Sequence, residues 1–432
     1  MQRRVWRLAL PLIATNVSVP LLGAVDTAVV GHMDDPRHLG AVAVGAFIFT
    51  ALYWGFGFLR MTTTGLAAQA SGADDGDEIR AVLLRALALA LLLGVGLIAL
   101  QLPLSWLTLE LMQPSSEVRE LGGDYFGIRI WSAPAVLTGY VFVGWFLGVQ
   151  KPTAGLIVGL AMNGLNIVLD LWFVMGLGWG VAGVAWATLI AEVGGLVLWL
   201  WLLGRELPRL GGRWRLAALR DSELGRMVRI NGNIFLRTLC LVGAFYTFTS
   251  MGARQGNVVL AANAVLFNFL AFAAHALDGF AHATEALAGE ALGERNRPAF
   301  RSVVVTAGGW ALVFAAGFSL VYGFFGSHLV ALLTDIAEVR ATAEVYLPWV
   351  VAVPLISVWS FQLDGIFIGA TRSRVLRNSM FLSVLVYAGA VALFVANWQN
   401  HGLWLALMIL FTARALTLAA AYPRLERSVS GD

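Results

Sequence analysis

Runs of apolar residues constrain this chain more than any other feature, because a stretch of about 18 or more residues with few charges reads as a helix that crosses a bilayer. Twelve such runs follow one another, at roughly 6–31, 40–69, 81–108, 120–149, 154–177, 180–203, 226–252, 257–290, 301–326, 342–370, 375–397 and 401–422. Several exceed about 25 residues, so tilt or extension beyond the bilayer is expected. The whole composition agrees: 59% of the residues are hydrophobic and 13% charged, against about 25% charged in a soluble domain. The first run follows Arg3 and Arg4 as a signal peptide would, but it is too long for a cleaved segment and carries an acid.

Charge sets the orientation. Assigning the loops alternately to two sides places 21 basic residues on one side and only Arg37, Arg119, Arg254 and Arg340 on the other. The positive-inside rule then puts both termini in the cytoplasm of a bacterial inner membrane, with an even number of spans. The densest cluster, Arg205 to Arg229, interrupts the apolar pattern and bridges two halves. Lys151 is the only lysine, and no basic run is interleaved with aromatics, so nucleic acid is not an expected partner. One cysteine, Cys240, builds neither a disulfide framework nor a thiolate metal site.

The two halves are related. Leu39 through Gly72 matches Leu260 through Gly293 at an offset of 221, and the same offset pairs Tyr125 with Tyr346, Gly144 with Gly365 and Gly148 with Gly369. Six spans per half make this a parallel repeat, with sites expected near the repeat interface or at mid-membrane. The expected organisation is an all-α membrane protein of twelve transmembrane helices in two pseudo-symmetric lobes: 1–204 (helices 1–6), a cytoplasmic linker 205–225, and 226–432 (helices 7–12).

An ionised group at the bilayer centre costs about 2.5–3.5 kcal/mol on insertion scales, so acids inside the spans mark candidate function. Asp26, Asp170 and Glu192 lie in the first half, and Asp278, Glu285 and Asp364 in the second. Pro20 precedes Asp26 in helix 1 and favours a bend there. Asn163, Asn166 and Asp170 share one face of helix 5. Desolvation penalises the charged form of an acid set among amides, which suits it to gain and release a proton near neutral pH. Asp170 could instead cap a chain end or pair with Arg129, and Glu192, beside Gly194 and Gly195, reads as structural. In helix 8, Asn268, His275, Asp278, His282 and Glu285 share a face about 25 Å long at 1.5 Å per residue, too polar to face lipid. His282 and Glu285 lack the further ligands of a metal site, so no metal is expected. Arg60, Arg129, Arg237 and Arg414 also fall within spans and read as ion-pair partners or snorkelling side chains.

The stretches PLLGAVDTAVVGH (20–32), FLRMTTTGLAAQASGA (58–73), RIWSAPA (129–135), GWFLGVQ (144–150), NGLNIVLDLWFVMGLG (163–178), ALDGFAHATEALAGEALG (276–293) and DGIFIGATRSRVLRNSM (364–380) together resemble the multidrug and toxic compound extrusion (MATE) family, in its DinF branch. The resemblance covers nearly the whole chain. It implies a V-shaped pair of six-helix lobes that exports amphipathic or cationic compounds in exchange for protons or sodium ions. Asp26 matches the family's helix 1 coupling acid, and Asn166 and Asp170 match its polar cluster in helix 5, with Pro20, Asn163 and Arg129 in support. Asp278, His282, Glu285 and Asp364 are the expected residues of a C-lobe cavity. The family's sodium branch uses an acid in helix 7 that this chain lacks, which favours proton coupling. A lipid or lipid-linked precursor flippase of the same superfamily is the alternative, but it would need a cationic cavity where acids dominate here. An intramembrane enzyme would need a nucleophile with its base or a metal triad, and neither stands out. No cofactor is expected beyond the coupling ion, and the expected partners are the lipid bilayer and small substrates of a monomeric transporter.

Overall fold

The computed structural model describes residues 1–31 and 36–429, with side chains described outside 17–36. The side chains of Pro20 and Asp26 therefore lie outside the described residues, although the backbone of helix α1, Gln2–Gly31, runs through both positions. The remaining helices are α2 (Arg37–Gly72), α3 (Gly76–Ala99), α4 (Ser116–Gly148), α5 (Thr153–Gly176), α6 (Gly180–Leu210), α7 (Ser222–Ala253), α8 (Asn257–Gly293), α9 (Arg297–Leu333) and α10 (Ala337–Gly369), then a long stretch, Ser373–Arg427. That stretch holds two helices, α11 (Ser373–Ala390) and α12 (Ala396–Arg427). The turn Val391–Val395 lies between them, and Gln399, at positive φ just inside the bounds of α12, marks the kink where one helix gives way to the next. The twelve spans read from the sequence are thus present.

One expected span is shorter than its apolar run. The run 81–108 breaks at Leu100 (φ −94°, ψ 11°), and a second helix, Gln101–Met112, begins there. Pro103 in its first turn has no N–H to continue the α3 ladder, so a break just before it is the low-cost solution.

The helices fall into two compact units, Ala14–Met227 and Met1–Ile13 with Val228–Asp432. The division comes just after the expected linker, but the first thirteen residues differ from the expected 1–204 lobe by belonging to the second unit. The cause is local packing. Trp6 meets Phe280, Trp310 and Phe314 at ring separations of 5.6, 5.0 and 5.7 Å. Nearby, Arg4 hydrogen-bonds Glu290 at 2.5 Å.

The duplication is written in backbone detail. In the first unit a Cβ on Gly144 would lie 2.4 Å from Arg60 O, and one on Gly148 would lie 2.9 Å from Thr64 O. In the second unit a Cβ on Gly365 would lie 2.4 Å from Ala281 O, and one on Gly369 would lie 2.2 Å from Glu285 O. All four glycine–carbonyl pairs are related by the same 221-residue offset, so the α2–α4 and α8–α10 interfaces are copies in which only glycine lets the backbones approach. The offset also relates the left-handed turns at Asp74 and Arg295, Gln150 and Thr371, and Gly178 and Gln399. It relates the N-caps as well: Asp75 accepts from Glu78 N at 2.9 Å and Asn296 from Ala299 N at 3.0 Å. Even the π turns that end α5 and α11, Leu171–Gly176 and Val391–Val395, occupy matching places.

Candidate functional site

Each unit holds a buried polar cluster set among helices with largely apolar faces. In the first unit, Arg129 near the middle of α4 forms an ion pair with Glu192 of α6, and both are largely buried. Arg129 also donates to Ser132 Oγ at 3.0 Å and lies over the Phe49 ring at 5.1 Å. Tyr53 of α2 closes the group at 3.3 Å from Ser132 Oγ. Opposite charges, a hydroxyl shell and an aromatic face offset the desolvation that either ion alone would suffer. Glu192, which stood alone in the sequence, is therefore tied to Arg129, and the alternative pairing of Arg129 with Asp170 is not the one formed.

Asn166 and Asp170 lie on the buried face of α5, at 1% and 0% exposure. Asn166 Nδ2 donates to Thr188 Oγ1 of α6 at 3.3 Å, and Thr188 in turn donates to Val184 O at 2.9 Å. Asn163, a turn earlier, is half-buried. Directly after Asp170 the α5 ladder widens into the π turn Leu171–Gly176. Such turns recur at functional sites because they re-aim side chains at a small backbone cost.

In the second unit, Asp364 of α10 is buried between Arg237 of α7 and Arg414 of α12. Arg237 Nη2 donates to Oδ2, and Arg414 reaches Oδ1 through Nε at 3.2 Å and Oδ2 through Nη2. The charge of Asp278 on α8 also acts on Arg414. Asp364 and the two guanidinia therefore tie α7, α10 and α12 together, with the Asp278 carboxyl of α8 in electrostatic reach of Arg414. Asp364, expected to face a cavity, instead has both oxygens engaged by arginine.

The helix 8 stripe is graded. Asn268 and His275 are exposed, Asp278 and His282 half-buried and Glu285 fully buried. His275 Nδ1 contacts Ala271 O at 2.6 Å. Among the described residues, no group of three His, Cys, Asp or Glu side chains converges to hold a metal ion.

The linker packs onto the start of α3. Arg80 donates to Leu207 O and Gly211 O at 2.8 and 2.6 Å and stacks on Trp214. Arg85 binds Glu78 at 2.7 Å and Asp221 at 2.6 Å. Burial works against the charge of Asp221, but the Arg85 hydrogen bond and charge and the N–H groups of Leu224 and Glu223 outweigh it and hold its carboxyl below the usual range.

Comparison with known proteins places this architecture. The MatE family model matches residues 11–172 and again 234–393, the two matches ending 221 residues apart. The chain is 43% identical to DNA damage-inducible protein F of Escherichia coli (strain K12) over 98% of its own length and 92% of that protein's. It is 22% identical to the multidrug export protein MepA of Staphylococcus aureus, covering 89% of this chain and 86% of that one. A MOP superfamily transporter from Pyrococcus furiosus superposes with a TM-score of 0.89 at 20% identity, over 100% of this chain and 97% of that chain. MATE crystal structures described as bent and as straight superpose with TM-scores of 0.89 and 0.87, at 20% and 21% identity, over 99% and 100% of this chain and 97% of each of theirs.

Proposed function

Because the chain belongs to the multidrug and toxic compound extrusion (MATE) family of membrane transporters, we propose that it is a proton-coupled antiporter that exports amphipathic or cationic compounds by alternating access. The observation that carries this reading is Asp170, a carboxyl with 0% exposure inside a span, set one turn from buried Asn166 and at the start of a π turn. A proton on such a group changes its charge where water cannot screen the change, so protonation can shift the packing of α5. Asp26 and Pro20 on α1 complete the proposed coupling site, with Asn163 and Arg129 in support. The bent and straight forms of the related MATE structures support a coupled change in this family's architecture.

Sodium is the less favoured coupling ion. A second-unit sodium site would need the Asp364 carboxylate, whose two oxygens are occupied by Arg237 and Arg414. The export of drugs rather than lipid precursors rests on the likeness to a protein named as a multidrug exporter. The test is transport of a fluorescent cationic dye into proteoliposomes under an imposed pH gradient and then a sodium gradient. Wild type should move dye with the pH gradient, and Asp26→Asn and Asp170→Asn should abolish that movement while preserving the gel-filtration profile. Dye movement driven by sodium alone would overturn the proton reading, and no movement under either gradient would favour the flippase.

A further inference from the structure

We infer that the second unit carries a binding site for one anionic glycerophospholipid, in a cleft between α9, α10 and α12 that is separate from the buried charge clusters. The cleft has a volume of about 530 Å³ and is lined by Gly308, Ile356, Trp359, Gln362, Leu416 and Tyr422 among others. Its size falls in the range of ligand pockets, and its walls are almost wholly apolar. Trp359 and Leu416 are exposed on the membrane-facing surface, so the cleft opens to the bilayer. Gly308 is buried, yet a Cβ built on it meets no atom within 4 Å. It forms the floor of the cleft.

Two further observations give that space a chemistry. Gln362 is 97% buried, since its exposure is 3%, and its Oε1 accepts from Thr284 Oγ1 at 2.9 Å. Its Nε2 is buried with no hydrogen-bond partner among the described residues. A buried amide donor left unmade costs about 1–3 kcal/mol, so an acceptor brought by a ligand is favoured there. At the arginine-rich end of the cleft, Arg301, Val304 and Gly308 follow at i, i+3 and i+7 on one face of α9, and Val304 and Gly308 line the cleft. The charges of Glu426, Arg301 and Arg297 all act on Tyr422, which lines the cleft. Arg297 is matched by Glu426 at 3.3 Å. Arg301 is exposed and has no ion-pair partner among the described residues, leaving the mouth with a net positive charge.

A phosphate at the Arg301 end, an ester oxygen on Gln362 Nε2 and an acyl chain along Gly308 and Leu416 match this order of positive charge, donor and apolar wall. The lipid would then touch Gln362, which bonds α8 through Thr284 and stands two residues before Asp364. This site does not depend on the identity of the coupling ion or of the exported compound.

The experiment is native mass spectrometry of the full-length protein, delipidated in detergent and titrated with phosphatidylglycerol or with phosphatidylcholine of the same chains. Wild type should retain one phosphatidylglycerol in preference to phosphatidylcholine. Arg301→Gln, Gln362→Leu and Gly308→Phe should each weaken that binding about tenfold or more, with Arg301→Gln leaving phosphatidylcholine unaffected. Equal retention of the two lipids by wild type, or unchanged phosphatidylglycerol binding in the variants, would overturn the site and leave only annular lipid. Should Gly308→Phe fail to fold, the exposed Arg301→Gln and the apolar Gln362→Leu decide the question.

Discussion

Replacing Gly369 by alanine should destabilise the protein even though alanine is the better helix former. A Cβ there would sit 2.2 Å from Glu285 O, 3.0 Å from Glu285 C and 3.1 Å from Gly289 N, all of them backbone atoms of α8 that no rotamer can move aside. Ordinary C···O contacts begin near 3.3 Å, so α8 and α10 must separate by about 1 Å along a well-packed face. Overpacking of that kind costs about 1–3 kcal/mol. The intrinsic gain of alanine over glycine within a helix returns about 1 kcal/mol, so the net loss should be up to about 2 kcal/mol. For a unit of this size each kcal/mol shifts Tm by about 2–4 °C, which predicts a fall of up to about 8 °C. Gly309→Ala is the control: it lies on α9, exposed, and its added Cβ meets nothing within 4 Å, so it should leave Tm unchanged or raise it by up to about 4 °C. Both are read by gel filtration of heated detergent-purified protein, with the intact peak as signal. If Gly369→Ala moves Tm in the same direction and by the same amount as Gly309→Ala, close approach is not what the glycine provides and the argument from the repeat fails.

Asp364→Asn should be among the most damaging single changes, because it leaves the buried guanidinia of Arg237 and Arg414 facing each other without their shared counter-charge. Removing one partner of a buried ion cluster costs about 3–5 kcal/mol, so folded yield and Tm should fall sharply, and Asp364→Asn with Arg237→Met should recover part of the loss. Full stability of the single variant would refute the clamp. Asp221→Ala should loosen the linker at neutral pH, seen as faster amide exchange at Glu223 and Leu224, whose N–H groups bond Asp221 Oδ1. Because the folded carboxyl is held below its unfolded value of about 3.9, its stabilising effect is present above that pH and lost as pH falls through the depressed value. The difference from wild type should therefore narrow toward acid. An unchanged difference would mean that Asp221 acts without its charge.

The sequence carried the span count, the offset and the intramembrane acids because each is a local signal: hydropathy, spacing and charge. It did not carry partner choice. Glu192 and Arg129 are 63 residues apart, and nothing in either helix says that they meet, whereas Asp170, also in reach of speculation as the partner of Arg129, is not the acid that Arg129 holds. Arg237 and Arg414 were visible as costly intramembrane cations, but that both converge on Asp364 follows only from the placement of α7, α10 and α12. A balance of buried charge within one unit was the available clue: two arginines there require acids on neighbouring helices. The association of Met1–Ile13 with the second unit was hidden for the same reason, since Trp6 reads as an ordinary apolar residue until its three aromatic neighbours are known.

The repeat shows what the two copies kept and what they exchanged. The glycine contacts, caps and left-handed turns are held in common at the 221-residue offset, and all of them concern backbone geometry. The charged and amide positions are not. Asn166 and Asp170 correspond to Tyr387 and Val391, and Arg237, Asp364 and Arg414 correspond to Asn16, Val143 and Val193. Tyr387 donates to Ala244 O at 3.2 Å and is buried as a packing residue, and the second unit therefore has no copy of the α5 acid. Its buried arginines Arg237 and Arg414 are instead paired with Asp364. A proton taken up by Asp170 would thus change the charge at a buried position that has no acidic copy in the second unit, where Asp364 is held between two arginines. Duplication supplied two similar scaffolds, and divergence of a few buried polar positions left the buried α5 acid in only one of them.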